Sequence, residues 1–203
     1  MEIKSLIKPV WESYKDRIIG NSIKNCHVKG LHSIMLIDAP EQRIRLFYAD
    51  NNHELYHDDE IHLAVHGHHC DVTLVGIKGH VCNILYKINP EGYRRKKYEY
   101  VSKIKTGSGS FKLVEGGTSS ADISSREGLT AKVSIFMPAD MLHTVQVAKG
   151  ISAAWFVIEG KEDTNYESVC YTDHPDPNSL LVGLYGTMTE LEVELILSKL
   201  NLI

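Results

Sequence analysis

No apolar run in this chain approaches the roughly eighteen residues of a membrane-spanning helix. The expectation is a protein with no membrane partner. The first residues, Met1, Glu2, Ile3, Lys4 and Ser5, lack the apolar stretch of a signal peptide, which predicts a cytoplasmic location. Cysteine is scarce. Its four copies (Cys26, Cys70, Cys82 and Cys170) make no Cys-x-x-Cys pair. A chain of 203 residues needs no disulfide staples, so reduced thiols are expected. An excess of one charge is also missing. A formal net charge of −4 gives no electrostatic reason to expect nucleic acid or an anionic membrane as partner. There is no internal repeat and no low-complexity tract.

What is present is histidine. Seven of the eleven histidines fall between His53 and His80: His53, His57, His62, His66, His68, His69 and His80. The hydrophobic fraction of 43% suffices for a real core, and the length suits a single domain over residues 1–203.

Helices are expected only at the two ends. Leu6, Val10, Tyr14 and Ile18 recur at helical spacing over residues 4–18, within an N-terminal helical region of residues 1–30. Residues 189–200 predict a second helix after a loop that begins near 161. Thr189 and Glu192 form a capping box there, and Leu191, Leu195 and Ile196 share a face. Between the helices, strands are predicted at 32–38, 43–49, 60–68, 71–77, 80–88, 131–137, 142–148 and 151–158. Many short strands with glycine-rich turns predict a mainly β barrel or sandwich over residues 31–160. The polar stretch 93–130 carries Arg94, Arg95, Lys96 and Lys97, then two Gly/Ser clusters. It predicts hairpins with flexible tips inside the domain. A lid over the barrel mouth and a contact between copies in a homodimer are both expectations for it.

His66 and His68 sit two apart, so a strand would point both imidazoles to one face. His143 begins a later strand and supplies a third nitrogen. Neutral imidazole suits Fe, Zn, Ni, Cu and Mn. Histidine-rich loops are also common as solvated surface, so the spacing alone leaves both readings open. His62 shares the expected strand face and is a candidate fourth ligand or supporting donor. His69 alternates to the opposite face. His53 and His57 lie in a polar loop. Cys70 and Cys82 read as small core residues. Trp155 and Phe156 point to opposite faces, so one packs in the barrel and is a candidate to line a pocket. Tyr86 has the same standing.

Read together, two segments become specific. Residues 66–79 (His-Gly-His-His-Cys-Asp-Val-Thr-Leu-Val-Gly-Ile-Lys-Gly) resemble the first motif of the cupin superfamily. Residues 138–143 (Pro-Ala-Asp-Met-Leu-His) resemble its second motif, with Asp140 in the place of a glycine. The resemblance covers roughly residues 43–159. It implies a double-stranded β-helix (cupin or jelly-roll) barrel with one divalent metal in its mouth. The family's acidic ligand would fall at Val72 or Thr73, and neither binds metal well. Asp71 is adjacent. The asparagine that often follows the second motif is absent, with Val147 in its place. A three-histidine set of His66, His68 and His143 resembles the thiol dioxygenase branch. That resemblance implies Fe(II), with Zn, Ni or Mn as alternatives, and oxygenation of a small thiol or other small anion. The alternatives are a non-catalytic small-molecule-binding cupin and a sugar isomerase or epimerase, for which Asp71 and Asp140 are the nearby carboxylates.

Overall fold

The computed structural model describes residues 4–50, 60–62, 65–100, 113–148, 150–163, 169–172 and 183–203. The expected His53 and His57 loop and the Gly/Ser cluster at 107–110 lie outside them. Helix α1 (Lys4–Asn21) is followed by β1 (Ile23–Lys24), β2 (Leu31–Ala39), β3 (Gln42–Ala49), β4 (Glu60–His62), β5 (Val65–His66), β6 (Val72–Lys78) and β7 (Val81–Ile88). Next come β8 (Arg94–Tyr100), β9 (Leu113–Leu129), β10 (Ser134–Met137), β11 (Leu142–Ala148), β12 (Ala153–Glu159), β13 (Val169–Thr172), β14 (Gly186–Thr187) and helix α2 (Glu190–Lys199).

The strands make two antiparallel sheets. The first has the order β10-β6-β12-β3-β2-β1-β14, and the second contains β4 and β5 beside β11, β11 beside β7, and β7 beside β9. From β3 onward the chain crosses repeatedly between the sheets, so β3 neighbours β12 and β5 neighbours β11. This strand order is that of a jelly roll, or double-stranded β-helix. The mainly β barrel with helices at both ends agrees with the expectation.

Alternation sets what lies inside. Phe47, Val72, Leu74, Val81, Leu85, Val145, Val147, Trp155 and Val157 share one core cluster between the sheets. The opposite face of the first sheet (Ile34, Leu46, Ile77, Phe156) joins a second cluster with Ile7, Trp11 and Ile18 of α1 and Val193, Ile196 and Leu197 of α2. Both helices therefore cover the outer side of that sheet. Lys15 pairs with Glu190 and Glu194 and ties the two helices together.

Three expectations need correction. In α2 the capping box of Thr189 and Glu192 forms, but Leu191 and Leu195 are exposed and Val193, Ile196 and Leu197 are buried. In α1 the buried stripe is Ile7, Trp11 and Ile18, while Tyr14 faces solvent. The glycines at 116 and 117 are not a loop tip. They lie inside β9, where the register slips between Lys97 and Tyr98, and Gly117 has φ 113°. A bulge with a positive φ is where glycine fits without strain. The described parts of the 93–130 stretch are thus strands of the barrel's second sheet, with β9 running the combined length of β7 and β8.

Candidate metal centre

The register of the second sheet builds the site. His143 stands opposite His66 on β5 and opposite Leu85 on β7. Cys170 of β13 flanks His66 on its other side. His143 shares its face with Val145 and Val147, so it points into the barrel at the end where β11 begins. The expected strand over 60–68 ends early, at His66. Alternation still holds for one more pair. A Cβ built on Gly67 would meet Leu142 and Val169, so position 67 faces outward and its two histidine neighbours face in.

The three imidazoles converge. One ring nitrogen from each of His66, His68 and His143 lies within 4.8 Å of the others. His68 Nε2 is 2.9 Å from His143 Nε2. Two nitrogens each about 2.1 Å from one ion, at a right angle, would stand about 3.0 Å apart. The His68–His143 pair is thus spaced as two ligands of one divalent ion, with a ring nitrogen of His66 near enough to be a third. His143 is also oriented for it. Its Nδ1 is 2.7 Å from the side-chain oxygen of Asn83, a residue with no exposed surface. An amide oxygen only accepts, so Nδ1 carries the proton and the Nε2 lone pair faces the other histidines. The Asn83 amide nitrogen donates in turn to Met137 Sδ at 3.4 Å. Burial, and then the neighbouring His66, hold both His68 and His143 well below the usual imidazole range. They are neutral at physiological pH, as ligation requires.

A fourth histidine stands behind the three. His27 lies in the tight turn between β1 and β2, and its ring stacks on His66 with centroids 5.8 Å apart. Phe47 lies on its other side at 6.5 Å, and Trp155 stacks on Phe47 at 5.6 Å. Trp155 is thus a core residue of the barrel that reaches the centre through two further rings.

The other candidate residues separate from the site. Val72 points into the core and Thr73 points out, on the face of Val75 and Ile77. The position expected for an acidic ligand is therefore occupied by valine on the inward face. Asp71 is exposed, and its carboxylate accepts from the Ala139 backbone at 3.1 Å, pinning the Pro138–Met141 turn. Asp140 is exposed on that turn. Tyr86 packs outside the sheet against Val65, Leu142, Val169 and Tyr171, with the Arg95 guanidinium 5.4 Å from its ring centre. The backbone of His62 pairs with Gln146, and its side chain lies outside the described residues. His69 is not one of the three converging residues. Burial pushes the Cys70 thiol up to about 11 and the Cys26 thiol up to about 12, so both stay protonated.

Asn83, His27 and Tyr185 were not among the expected residues. Asn83 left one signal. It is the amide in an inward register otherwise held by Val81 and Leu85. His27 and Tyr185 left none, because 158 positions separate them.

No protein-family model and no curated protein matches the sequence. Solved structures do. A cupin superfamily protein of Desulfitobacterium hafniense overlaps with TM-score 0.36 at 11% identity, over 65% of this chain and 78% of that one. Hydroxypropylphosphonic acid epoxidase of S. wedmorenis gives 0.39 at 15%, over 68% and 53%. The DMSP lyase DddQ of Ruegeria pomeroyi gives 0.40 at 10%, over 69% and 51%. The chain spans about half the length of the last two. Superpositions this loose carry no argument about activity. By its strand order, and by the meeting of both motif segments at one end of the barrel, this chain has the fold of the cupin superfamily.

Proposed function

We propose that the protein is a metal-dependent cupin, a mononuclear Fe(II) oxygenase acting on a small thiol or another small anion. The observation that supports it best is the convergence of His66, His68 and His143, with the His143 lone pair fixed by Asn83. Imidazole binds a metal in its neutral form, so a divalent ion held by three of them would keep its full charge and favour an anion beside it. Fe(II) bound there would supply redox chemistry with O₂ and open positions for a substrate. The chain's own contribution is to hold His68 and His143 neutral and to orient His143 through Asn83. The sugar isomerase reading is weaker. It needs a carboxylate base, and Asp71 is engaged with the Ala139 backbone while Asp140 is exposed.

The test is anaerobic loading with Fe(II), followed by O₂ uptake with mercaptoacetate as the thiol. Thiol-dependent uptake in wild type that is lost in His143→Ala is the expected result. Metal-loaded protein that consumes no O₂ with any small thiol would instead indicate a non-catalytic binding barrel.

A further inference from the structure

The turn that carries His27 is built to hold that one ring in place. Asn25 and His27 both have left-handed backbones, with φ 54° and 68°. The Asn25 side-chain oxygen accepts from Gly30 N at 3.0 Å, and the Asn25 backbone carbonyl accepts from Tyr185 N at 3.1 Å. Tyr185 is itself left-handed, with φ 58°. Neither His27 nor Tyr185 is glycine, and each such residue costs on the order of 1 kcal/mol or more in backbone strain. Strained residues of this kind cluster at binding and catalytic sites.

The role of His27 can be narrowed by chemistry. Tyr185 Oη lies 3.2 Å from His27 Nδ1 and meets the ring edge-on. That nitrogen is therefore occupied. The ring lies nearly parallel to His66, at 20°, and His27 is not one of the converging ligands. It is placed as a neighbour of the metal centre. Among the described residues its Nε2 has no protein hydrogen bond. The residue is only half-buried, which leaves room for a bound molecule beside the ring. When the phenol donates to Nδ1, the imidazole proton sits on Nε2, which is then a donor.

We propose that His27, oriented by Tyr185, is the residue that recognises an oxygen of the small anion bound at the three-histidine centre. Nε2–H donates to a carboxylate of the ligand, while the ligand's other end occupies the metal. Tyr185 is a positioning residue that fixes the tautomer. This inference rests on the metal-centre reading above and adds to it the site for the ligand's oxygen.

The experiment uses full-length protein loaded with Co(II), whose visible spectrum reports ligand binding. Two probes are titrated, mercaptoacetate and ethanethiol, which differ by a carboxylate. In wild type mercaptoacetate binds tighter. His27→Phe keeps a flat ring against His66 and removes the donor. It is expected to bind Co(II) as wild type does, to lose about tenfold or more in mercaptoacetate affinity, and to keep its ethanethiol affinity. His27→Gln restores part of the mercaptoacetate binding, and Tyr185→Phe gives an intermediate loss. Equal loss for both probes, or a change of less than about twofold for mercaptoacetate, overturns the assignment of His27 and leaves the metal reading standing. Loss of Co(II) itself in His27→Phe overturns it by making His27 a ligand or a purely structural support. Failure of wild type to bind Co(II) overturns both readings.

Discussion

At the scale of the residue, Asn83 decides how well His143 serves as a ligand. Its side-chain oxygen accepts from His143 Nδ1, and the residue is fully buried. Asn83→Leu keeps the volume but removes the acceptor, so it should weaken metal affinity about 10- to 100-fold. Asn83→Asp keeps an acceptor and should retain binding. A competition titration with a chromophoric chelator measures both, and equal affinity in the leucine variant would remove Asn83 from the account. The buried histidines also set a pH dependence. Burial, reinforced by His66 and Arg45, pushes His27 down to about 3 from an ordinary value of 6.5. The unfolded chain therefore takes up the proton before the folded one does. His27 lowers stability as pH falls from 6.5 toward 3, by at most about 1.4 kcal/mol per pH unit, and has no effect above 6.5. Denaturant melts of metal-free wild type and His27→Phe should diverge in slope below pH 6. Parallel slopes would place His27 in solvent. The His-x-His pair and His143 were legible as single residues because a strand's alternation is local. His27 and Asn83 were not, because what makes them matter is a neighbour brought in by the fold.

At the scale of the element, the two helices show where pattern reading fails. Leu191 and Leu195 of α2 have the helical spacing of a core stripe, yet 73% and 52% of their surface is exposed. Val193, Ile196, Leu197 and Leu200 carry the contact instead, because the capping box at Thr189 and the chain exit past Leu200 fix the helix's rotation on the sheet. Several apolar residues offered more than one stripe, and only the sheet beneath selects between them. Leu197→Ala should cost about 2–5 kcal/mol and Leu195→Ala less than about 0.5. Thr189→Ala should cost about 1 kcal/mol, since it leaves the Glu192 amide without its cap. Chemical denaturation of the three variants ranks them, and a larger loss at Leu195 than at Leu197 would contradict the packing described. The strands follow the local pattern more closely. The bounds of β11 coincide with the expected 142–148, because a run between a proline turn and a glycine has few alternatives.

At the scale of the whole molecule, the fold turns two distant segments into one site. The jelly-roll crossing sets β5 beside β11, which places His66 opposite His143 although they are 77 positions apart in the chain. Sequence pattern predicted the strands and the motifs. The jelly-roll order followed from the resemblance of those motifs and not from local propensity, since nothing local encodes which strands become neighbours. Val72 shows the same limit. Whether the inward position carries Val72 or Thr73 depends on where β6 begins, and a shift of one residue reverses the face. The placement of valine there leaves three imidazole nitrogens and no carboxylate, the donor set proposed to hold one divalent metal. The most direct test of that binding is an anaerobic Fe(II) titration of metal-free protein, read by elemental analysis after desalting. Wild type and His69→Ala should each retain one equivalent, and His66→Ala, His68→Ala and His143→Ala should retain little. Equal retention in His143→Ala and wild type, or none in wild type, would show that the three histidines do not form a metal centre.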